Sequence, residues 1–547
     1  MFRSLIAAAA LALAGCAANA PPRSIPISAQ TLQDVTRILS ADEFEGRAPG
    51  TAGEAKTLGY LVEKFRDAGL RPGNHGSWFQ DVPLVEITGS NYSPLTISGG
   101  KAPLSFAHGR DFVATSFRAA PRTDLKDSEL VFVGYGINAP EKGWNDYAGI
   151  DMRGKTAVIL INDPDYENPQ VIGPFNGRAM TYYGRWTYKY DEAARQGAAA
   201  AIIVHDTYPA AYGWKVVDSS WSGAQAYPQT PDDGTSQTVF NAWVQKPVAE
   251  AIMQAAGKDF ASLSAAAKQP GFRPVALGLK AGLSFDNAVR RFASMSVIGI
   301  LPGAKHPDEI VLYSAHWDHL GRCTANAAGD DICNGAIDNA TGVAALVALA
   351  QAHHQAGPAA RSLVFIALTG EESGLLGSEY YGRNPVYPLA RTVGGVNMDG
   401  LRMLGLARDV QVIGGGKSEL DAVLANALQA ESRVGTAEAT PEKGYYYRSD
   451  HFSLAKRGVP MLYLKQGEDL LSGGREAGAA RNRDYEANHY HSPEDEFDPA
   501  WDWSGVIADV RLYYRLGRLM AESRDWPNWL PGDEFRRARD ASMTERK

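Results

Sequence analysis

Histidine and carboxylate residues recur in short blocks along the second half of the chain. Their metal-type side chains are His316, Asp338, Glu372, Asp399 and His491. Two imidazoles with three carboxylates suit zinc, which takes nitrogen and oxygen ligands and leaves a position for water. Five side chains can serve two ions if one carboxylate bridges them, and two ions about 3.5–4 Å apart are typical of two-metal hydrolases. The spacing therefore favours metal-dependent hydrolytic chemistry over a binding module.

Two further acidic residues stand beside these ligands in the sequence. Glu371 directly precedes Glu372, and neighbouring side chains of an extended segment point to opposite sides. One glutamate can therefore bind metal while the other stays free as a general base. Asp318 comes two residues after His316, so we expect it to hydrogen-bond the far imidazole nitrogen and fix the tautomer of that ring.

Apolar runs typical of buried strands lead into several of these blocks. Residues 310–313 precede His316, and the continuous apolar run 363–368 ends shortly before the two glutamates. Helical spacing follows at 341–355 and at 503–520, so strands and helices alternate. The alternation predicts an α/β fold with a mostly parallel mixed sheet and helices on both faces. Sites in such sheets lie at the carboxyl ends of the strands.

Length and composition narrow the class of protein. A chain of 547 residues predicts two or three domains, and 45% hydrophobic with 21% charged residues is typical of globular proteins. The formal net charge is −8, and no run rich in lysine or arginine stands out. We therefore predict no nucleic-acid partner.

The first residues have the pattern of an export signal. Arg3 supplies a positive region and residues 5–13 a short apolar region, which is too short for a stable membrane anchor. The sequence Leu-Ala-Gly-Cys that ends at Cys16 resembles the bacterial lipoprotein signal. That resemblance implies cleavage before Cys16, lipidation of this cysteine and attachment to the periplasmic face of the outer membrane, since Ala17 is not the aspartate linked with inner-membrane retention. The alternative is an ordinary secretory signal and a soluble periplasmic or secreted protein.

Two cysteines remain once Cys16 is assigned to lipid. Cys323 and Cys333 lie between two ligand blocks of a chain that is expected to reach an oxidising compartment. We predict that they form a disulfide. Metal binding by these two cysteines is the alternative, and it is disfavoured because no second cysteine pair lies nearby.

Taken together, the ligand blocks resemble those of the co-catalytic dizinc aminopeptidases of the M28 type, and the resemblance covers much of residues 290–525. It implies the zinc-aminopeptidase, phosphorylase/hydrolase-like fold and two zinc ions per chain. The implied metal ligands are His316 and Asp399 for one zinc, Glu372 and His491 for the other, and Asp338 as the bridge.

The same resemblance implies further roles close to these ligands. Glu371 would be the general base, and Tyr490 would donate a hydrogen bond to the developing oxyanion. A cis peptide bond is expected between Asp338 and Asn339. Peptides are the expected substrates, and no partner protein is predicted.

Another matching block reads Ser-Asp-His at 449–451. We interpret Asp450 as support and pocket wall rather than as a metal ligand, because five ligands are already present. The preceding residues Tyr445, Tyr446 and Tyr447 are expected to shape the pocket for the first side chain of the substrate.

Short strands and turns between the N-terminal helices and the ligand blocks resemble a protease-associated domain, on the motifs at 133–136, 144–147 and 151–155. The resemblance implies a β-rich insert in the α/β fold. The predicted division is a signal peptide at 1–15, a tether at 16–27, an N-terminal part of the peptidase domain at 28–125, the inserted domain at 126–285, the catalytic domain at 286–530 and a polar tail at 531–547.

Four functions stay open at this point. The first is an exported dizinc aminopeptidase, and the second is a carboxypeptidase of the glutamate-releasing type, for which Arg402, Arg448 and Arg457 could bind a C-terminal carboxylate. The third is a glutaminyl cyclase-like acyltransferase, which works with one zinc and is disfavoured by the complete ligand set. The fourth is a non-catalytic binding protein, which would be expected to have lost ligands.

Overall fold

The computed structural model describes residues 25–546. The predicted signal peptide, Cys16 and most of the predicted tether lie outside the described residues. Within the described part, no helix has both the length and the apolar character needed to cross a membrane.

Helices and strands alternate through most of the described chain. The α-helices are α1 (Ala29–Leu39), α2 (Ala52–Asp67), α3 (Trp186–Arg195), α4 (Thr207–Ala210), α5 (Trp214–Trp221), α6 (Lys246–Ala255), α7 (Phe260–Ala267), α8 (Thr341–Ala356), α9 (Leu376–Arg383), α10 (Leu420–Ala430), α11 (His451–Ala455), α12 (Gly474–Asn488), α13 (Ser504–Glu522) and α14 (Arg536–Met543). The strands are β1 (Arg71–Pro72), β2 (Phe79–Ser90), β3 (Leu95–Ser98), β4 (Leu104–Phe106), β5 (Phe112–Thr115), β6 (Arg122–Phe132), β7 (Asn138–Ala139), β8 (Trp144–Asn145), β9 (Thr156–Leu160), β10 (Ala200–His205), β11 (Ala224–Pro228), β12 (Phe240–Gln245), β13 (Val275–Leu301), β14 (His306–His316), β15 (Gly321–Arg322), β16 (Ile332–Cys333), β17 (Arg361–Leu368), β18 (Thr392–Asn397), β19 (Asp409–Ile413), β20 (Val434–Ala437) and β21 (Met461–Gln466).

A parallel group of strands forms the centre of the main unit. Strand β14 pairs in parallel with β17 on one side and β18 on the other, and β21 continues the group beside β18. Antiparallel strands flank it, since β13 pairs with β17 and β19 pairs with β21. The predicted α/β class with a mostly parallel mixed sheet is confirmed.

Helices cover both faces of this sheet. Along β17, Leu363 and Phe365 pack into the core that contains α1, α8 and α13, whereas Val364 and Ile366 pack into the core on the α9 side. All eight residues of β17 are buried. Burial on both faces explains why this strand reads as a continuous apolar run in the sequence.

A second unit, residues 95–285, has its own hydrophobic core. Strand β10 pairs in parallel with β9 and β12 at the centre of this unit. Leu95, Ile97 and Phe112 belong to the same core. The start at residue 126 stays a prediction, although these three earlier residues already pack with the second unit. Its assignment as a protease-associated domain stays a prediction.

Strand β13 belongs to both units. Its first half pairs with β3 and β6, and its second half pairs with β2 and β17. The predicted boundary at residue 285 therefore falls inside one continuous strand rather than in a linker.

Both ends of the described chain pack on the main unit. Ile25 and Ile27 are buried in its core, so the predicted tether cannot extend to residue 27. Within the predicted polar tail, Phe535 is buried and Arg539 donates hydrogen bonds to the carbonyl oxygens of Thr392 and Val393, each at 2.8 Å. The composition of this charged segment does not reveal that the guanidinium group of Arg539 is buried and donates to main-chain oxygens.

The predicted disulfide is confirmed. Cys323 and Cys333 are bonded, and Cys333 lies on β16, which pairs with β15 in a small hairpin near the ligand blocks.

Candidate metal centre

Three neighbouring strands deliver side chains to one edge of the sheet. His316 is the last residue of β14 and pairs with Leu368, the last residue of β17. Glu371 and Glu372 follow β17 after Thr369 and Gly370, and Asp399 follows β18. The carboxyl ends of parallel strands meet at one edge, so these residues come together as the sequence predicts.

Asp338 reaches the same edge from an irregular segment before α8. The segment Ala336–Ala340 contains a cis peptide bond between Asp338 and Asn339, as the resemblance implies. The carboxylate of Asp495 accepts hydrogen bonds from the backbone N–H groups of Ile337 and Asp338, both at 3.0 Å. Asp495 therefore positions the segment that carries Asp338.

The carboxylate of Asp338 stands between two histidines. Its Oδ1 atom lies 3.3 Å from His316 Nε2, and its Oδ2 atom lies 3.4 Å from His491 Nε2. On the outer sides, Asp399 Oδ1 lies 3.3 Å from His316 Nε2, and Glu372 Oε2 lies 3.1 Å from His491 Nε2. The structure thus brings together all five residues that the sequence predicts as ligands, with Asp338 in the middle.

These distances fit zinc. A tetrahedral zinc ion with bonds of about 2.0–2.1 Å has ligand atoms about 3.3 Å apart, close to the spacing in both groups. Asp338 Oδ1 is buried and accepts no hydrogen bond, which is costly for a carboxylate unless a cation faces it. Ligand atoms of His316, Asp338 and Glu372 lie within 4.8 Å of one another, and so do those of His316, Glu371 and Asp399.

Asp318 supports this edge in a different way from the one predicted. Its carboxylate is 3.8 Å from His316 Nδ1, whereas its main-chain carbonyl oxygen is 3.1 Å from that nitrogen. The carboxylate instead accepts hydrogen bonds from the backbone N–H groups of Glu371 and Glu372, at 3.2 and 3.4 Å. The carbonyl therefore fixes the His316 tautomer, leaving Nε2 towards the other ligands, and the carboxylate orients the two glutamates.

Several carboxylates share this buried edge, and their pKa values reflect it. Burial raises the pKa of the Glu371 carboxyl well above its usual value, and the charges of Asp399 and Glu372 raise it further, against the lowering effect of His316. Burial also raises the pKa of Asp318 to about 6. So many acidic groups in one place favour bound cations.

A family model covers the part of the chain that carries these ligands. Residues 296–514 match Peptidase family M28. All five predicted ligands, Glu371 and Tyr490 lie inside the M28 match. It supports the resemblance drawn from the ligand blocks, for this part of the chain.

Individual relatives match less of the chain or match it more distantly. A "Probable zinc metalloprotease" of Pyricularia oryzae is 39% identical over 85 residues, and this match spans 16% of each protein. Among solved structures, an aminopeptidase from Aneurinibacillus sp. strain AM-1 is 20% identical with a TM-score of 0.46, covering 91% of this chain and 94% of that one. A zinc aminopeptidase from Bacillus subtilis is 19% identical with a TM-score of 0.41, covering 93% and 98%.

A third histidine stands at the candidate metal centre and was not assigned from the sequence. His319 Nδ1 lies 2.6 Å from Glu372 Oε1, and its ring meets that of His491 edge-on at 5.6 Å. His319 therefore orients one of the candidate ligands. His319 belongs to the same five-residue block as His316, and this proximity in the sequence could have indicated that it lies at the centre.

A buried arginine far away in the sequence holds the ligand loops. Arg47 donates hydrogen bonds to the carbonyl oxygens of Trp317 at 2.9 Å, Asn334 at 2.6 Å and Gly335 at 3.0 Å. Burial lowers the pKa of Arg47 to about 10, which leaves it charged at neutral pH. Its sequence context is a turn-rich segment with no signal for this role.

The centre opens into a cavity of about 670 Å³ that both units line. The main unit contributes Glu371, Glu372, Asp399 and His491, and the second unit contributes aromatic and polar side chains, among them Phe117, Arg185, Trp221 and Tyr227. The ring of Tyr490 also faces the cavity and stacks on that of His491, with ring centroids 3.8 Å apart.

The residues predicted to form the substrate pocket separate into two groups. Tyr445 and Tyr447 line this cavity. Tyr446 is buried against the ring of His451 and lines a second cavity, which Tyr447 also lines. Three consecutive residues of a helical turn cannot all face the same side. Asp450 is buried behind the centre, where burial raises its pKa to about 7.

Proposed function

We propose that the protein is an exported, zinc-dependent exopeptidase that removes N-terminal residues from peptides. The observation that carries the proposal is the position of Asp338, whose two carboxylate oxygens each face a different histidine–carboxylate pair. One carboxylate shared between two such pairs is the arrangement that two-metal hydrolysis requires.

The ligands proposed for one ion are His316 and Asp399, and those for the other are Glu372 and His491, with Asp338 common to both. Two zinc ions bound there would supply Lewis acidity and a lowered pKa for water. Hydrogen bonds of Asp318 with His316 and Glu372, and of His319 with Glu372, would hold these ligand side chains in place before the substrate binds.

Two residues of the chain are proposed to act on the substrate. Glu371, which the Asp318 carboxylate orients through its backbone N–H, would accept a proton from the attacking water and pass it to the leaving amine. Tyr490, which lines the cavity, would donate a hydrogen bond to the oxygen of the attacked carbonyl.

The cavity supports an action on short peptides or chain ends. Ligand pockets of small molecules commonly measure about 300–1,000 Å³, and this cavity falls within that range. Side chains of the second unit, among them Phe117 and Trp221, form part of its wall. We therefore propose that the second unit limits the length of peptide that can bind.

A matched peptide pair tests the proposal. One peptide has a free N-terminus and the other is acetylated there, and both are incubated with protein before and after chelation. Cleavage of only the free peptide, from its N-terminus, lost on chelation and restored by zinc, is expected. Cleavage of both from the C-terminal end would instead support the carboxypeptidase, and no cleavage of either would refute a peptidase.

The carboxypeptidase alternative has less support. Of its three candidate arginines, Arg457 is paired with Glu379 and Arg402 contacts Glu486. Arg448 alone of these lacks a carboxylate partner among the described residues. A single free arginine does not distinguish recognition of a C-terminus from recognition of an acidic side chain.

We propose further that the protein is exported and lipidated at Cys16. The disulfide between Cys323 and Cys333 supports an oxidising compartment. Wild-type protein is expected to incorporate labelled palmitate and to fractionate with outer membranes, and Cys16→Ala should abolish the labelling. Soluble, unlabelled wild-type protein would contradict lipidation.

A further inference from the structure

Three cationic side chains line the cavity without a carboxylate partner among the described residues. They are Arg185 from the second unit and Arg448 and Lys465 from the main unit. Among the described residues, the guanidinium of Arg185 donates a hydrogen bond only to the sulfur of Met180, at 3.8 Å, and its buried Nε donates none. A buried guanidinium nitrogen without an acceptor is costly, so the position of Arg185 favours an anion.

Two of these three cations lie over the aromatic ring of Tyr445. Lys465 Nζ lies 3.4 Å from the ring centroid, and the Arg448 guanidinium carbon lies 5.9 Å from it. Burial lowers the pKa of Arg185 to about 10, and the charge of Arg448 contributes to the lowering. Arg185 and Arg448 line the same cavity, although they come from different units.

The other arginine and lysine side chains of the cavity wall each have a carboxylate partner. Arg383 and Lys456 both bind Glu379, each at 2.9 Å, and Arg402 lies 3.3 Å from Glu486. Among the described residues, the arginines and lysines of the cavity wall that form no ion pair are therefore Arg185 and the two at the ring of Tyr445.

We propose that Arg185, Arg448 and Lys465 form a binding site for a carboxylate of the substrate. The proposal rests on the proposed peptidase function, which makes the substrate a peptide. Guanidinium groups bind carboxylates in a bidentate manner, and the aromatic ring of Tyr445 holds the cations at its face. The carboxylate comes either from an acidic side chain or from the C-terminus of a short peptide.

This site gives the second unit a role in choosing substrates. Arg185 directly precedes α3 and reaches the cavity from the second unit, whereas Arg448 precedes α11 of the main unit. A carboxylate bound between them joins the two units while the N-terminal end of the peptide lies at the metal ligands.

Three peptides distinguish the sources of the carboxylate. Leu-Ala-Ala amide has none, Leu-Ala-Ala has a C-terminal carboxylate, and Leu-Ala-Glu amide has one on a side chain. Charge-assisted hydrogen bonds predict a KM about ten- to a hundredfold lower for at least one of the two acidic peptides than for the amide. The peptide that shows the gain identifies the source.

Variants test whether these cations cause the gain. Arg448 is exposed, so Arg448→Met carries little risk for folding, and this variant should remove most of the gain in KM. Arg185→Met should also remove most of the gain, and Arg185→Lys should restore part of it. Arg383→Met is the matched control, since Arg383 lines the same cavity but is paired with Glu379, and it should leave the gain unchanged. An equal KM for all three peptides, or a gain that survives Arg448→Met and Arg185→Met, would overturn the proposal.

A binding measurement separates this site from the proposed function. Calorimetry with Ala-Ala-Ala and its amide, on full-length protein kept in chelator, needs no hydrolysis. Tighter binding of the acid that Arg448→Met abolishes supports the carboxylate site, even if no peptide is cleaved with zinc and the peptidase proposal fails. Equal affinities for this pair overturn a site for the C-terminal carboxylate, and Ala-Ala-Glu amide, measured in the same way, tests the side-chain carboxylate. Equal affinities for all three peptides overturn the site, even if the peptidase proposal holds.

Discussion

Replacement of Arg47 by methionine should loosen the loops that carry the metal ligands. The side chain is fully buried and donates to four main-chain carbonyl oxygens, those of Leu39, Trp317, Asn334 and Gly335. Trp317 lies between His316 and Asp318, and Gly335 precedes the segment Ala336–Ala340. One guanidinium therefore joins helix α1 to both ligand loops, since Leu39 ends that helix.

The size of the effect follows from these contacts. Methionine keeps the apolar stem, so the loss comes from the donors and the charge. A hydrogen bond to a charged group contributes about 1.5–3 kcal/mol, but four such losses do not add, because the carbonyls relax and water enters. Removal of one member of a buried charged network typically costs about 3–5 kcal/mol, and we expect this loss in the free energy of unfolding for Arg47→Met.

Denaturant unfolding of the metal-free protein measures the stability, and hydrogen exchange of residues 335–342 reports whether the loss is local. Faster exchange there, with no change in the second unit, is expected. Arg37→Met is the control, since Arg37 is exposed on the preceding helix beside Asp34, and it should change stability by less than about 0.5 kcal/mol. A loss for Arg47→Met no greater than for this control would refute the positioning role.

Three further predictions concern the centre and the core behind it. Glu371→Gln should retain both metal ions by elemental analysis and lower turnover about 10²–10⁴-fold, because it removes proton transfer alone; near-normal turnover would contradict the base role. His491→Ala should lose one ion preferentially, and an unchanged metal content would count against it as a ligand. Burial lowers the pKa of His451 from 6.5 to about 3, so the unfolded chain binds a proton that the folded protein excludes. Stability should then fall as pH drops from 6.5 towards 3, by at most about 1.4 kcal/mol per pH unit for this histidine, and His451→Phe should flatten that slope while the exposed His75→Asn should not.

The sequence predicted the ligand edge well because its signals are local. Strands β14 and β17 are buried on both faces and read as apolar runs, and the residues just beyond a parallel strand must lie at its carboxyl end. The positions of these residues after apolar runs were therefore enough to predict that His316 and Glu372 lie at one edge of the sheet. The bridging place of Asp338 came from the family resemblance, since it depends on an irregular segment.

The residues that position the candidate ligands were not predicted from the sequence, because their roles depend on contacts between distant parts of the chain. Arg47 and Trp317 are 270 positions apart, and no local periodicity marks such a pair. Asp318 was assigned to the correct neighbourhood, but its carbonyl rather than its carboxylate meets the imidazole. Spacing predicts which residues are near one another, whereas the donor and acceptor atoms depend on the final backbone geometry.

The boundary between the two units was not predicted from the sequence for a different reason. The strand that crosses this boundary also affects the structure of the cavity. Strand β13 is continuous from Val275 to Leu301, so no turn or linker residues mark the passage from one unit to the other. Twelve successive residues of its second half pair with β2, and strand β11 of the second unit pairs with the other edge of β2. A sheet shared in this way resists hinge motion, because bending it breaks ladder hydrogen bonds. We therefore expect Arg185 and the candidate metal ligands to keep their separation, so that the cavity is formed before the proposed peptide substrate binds.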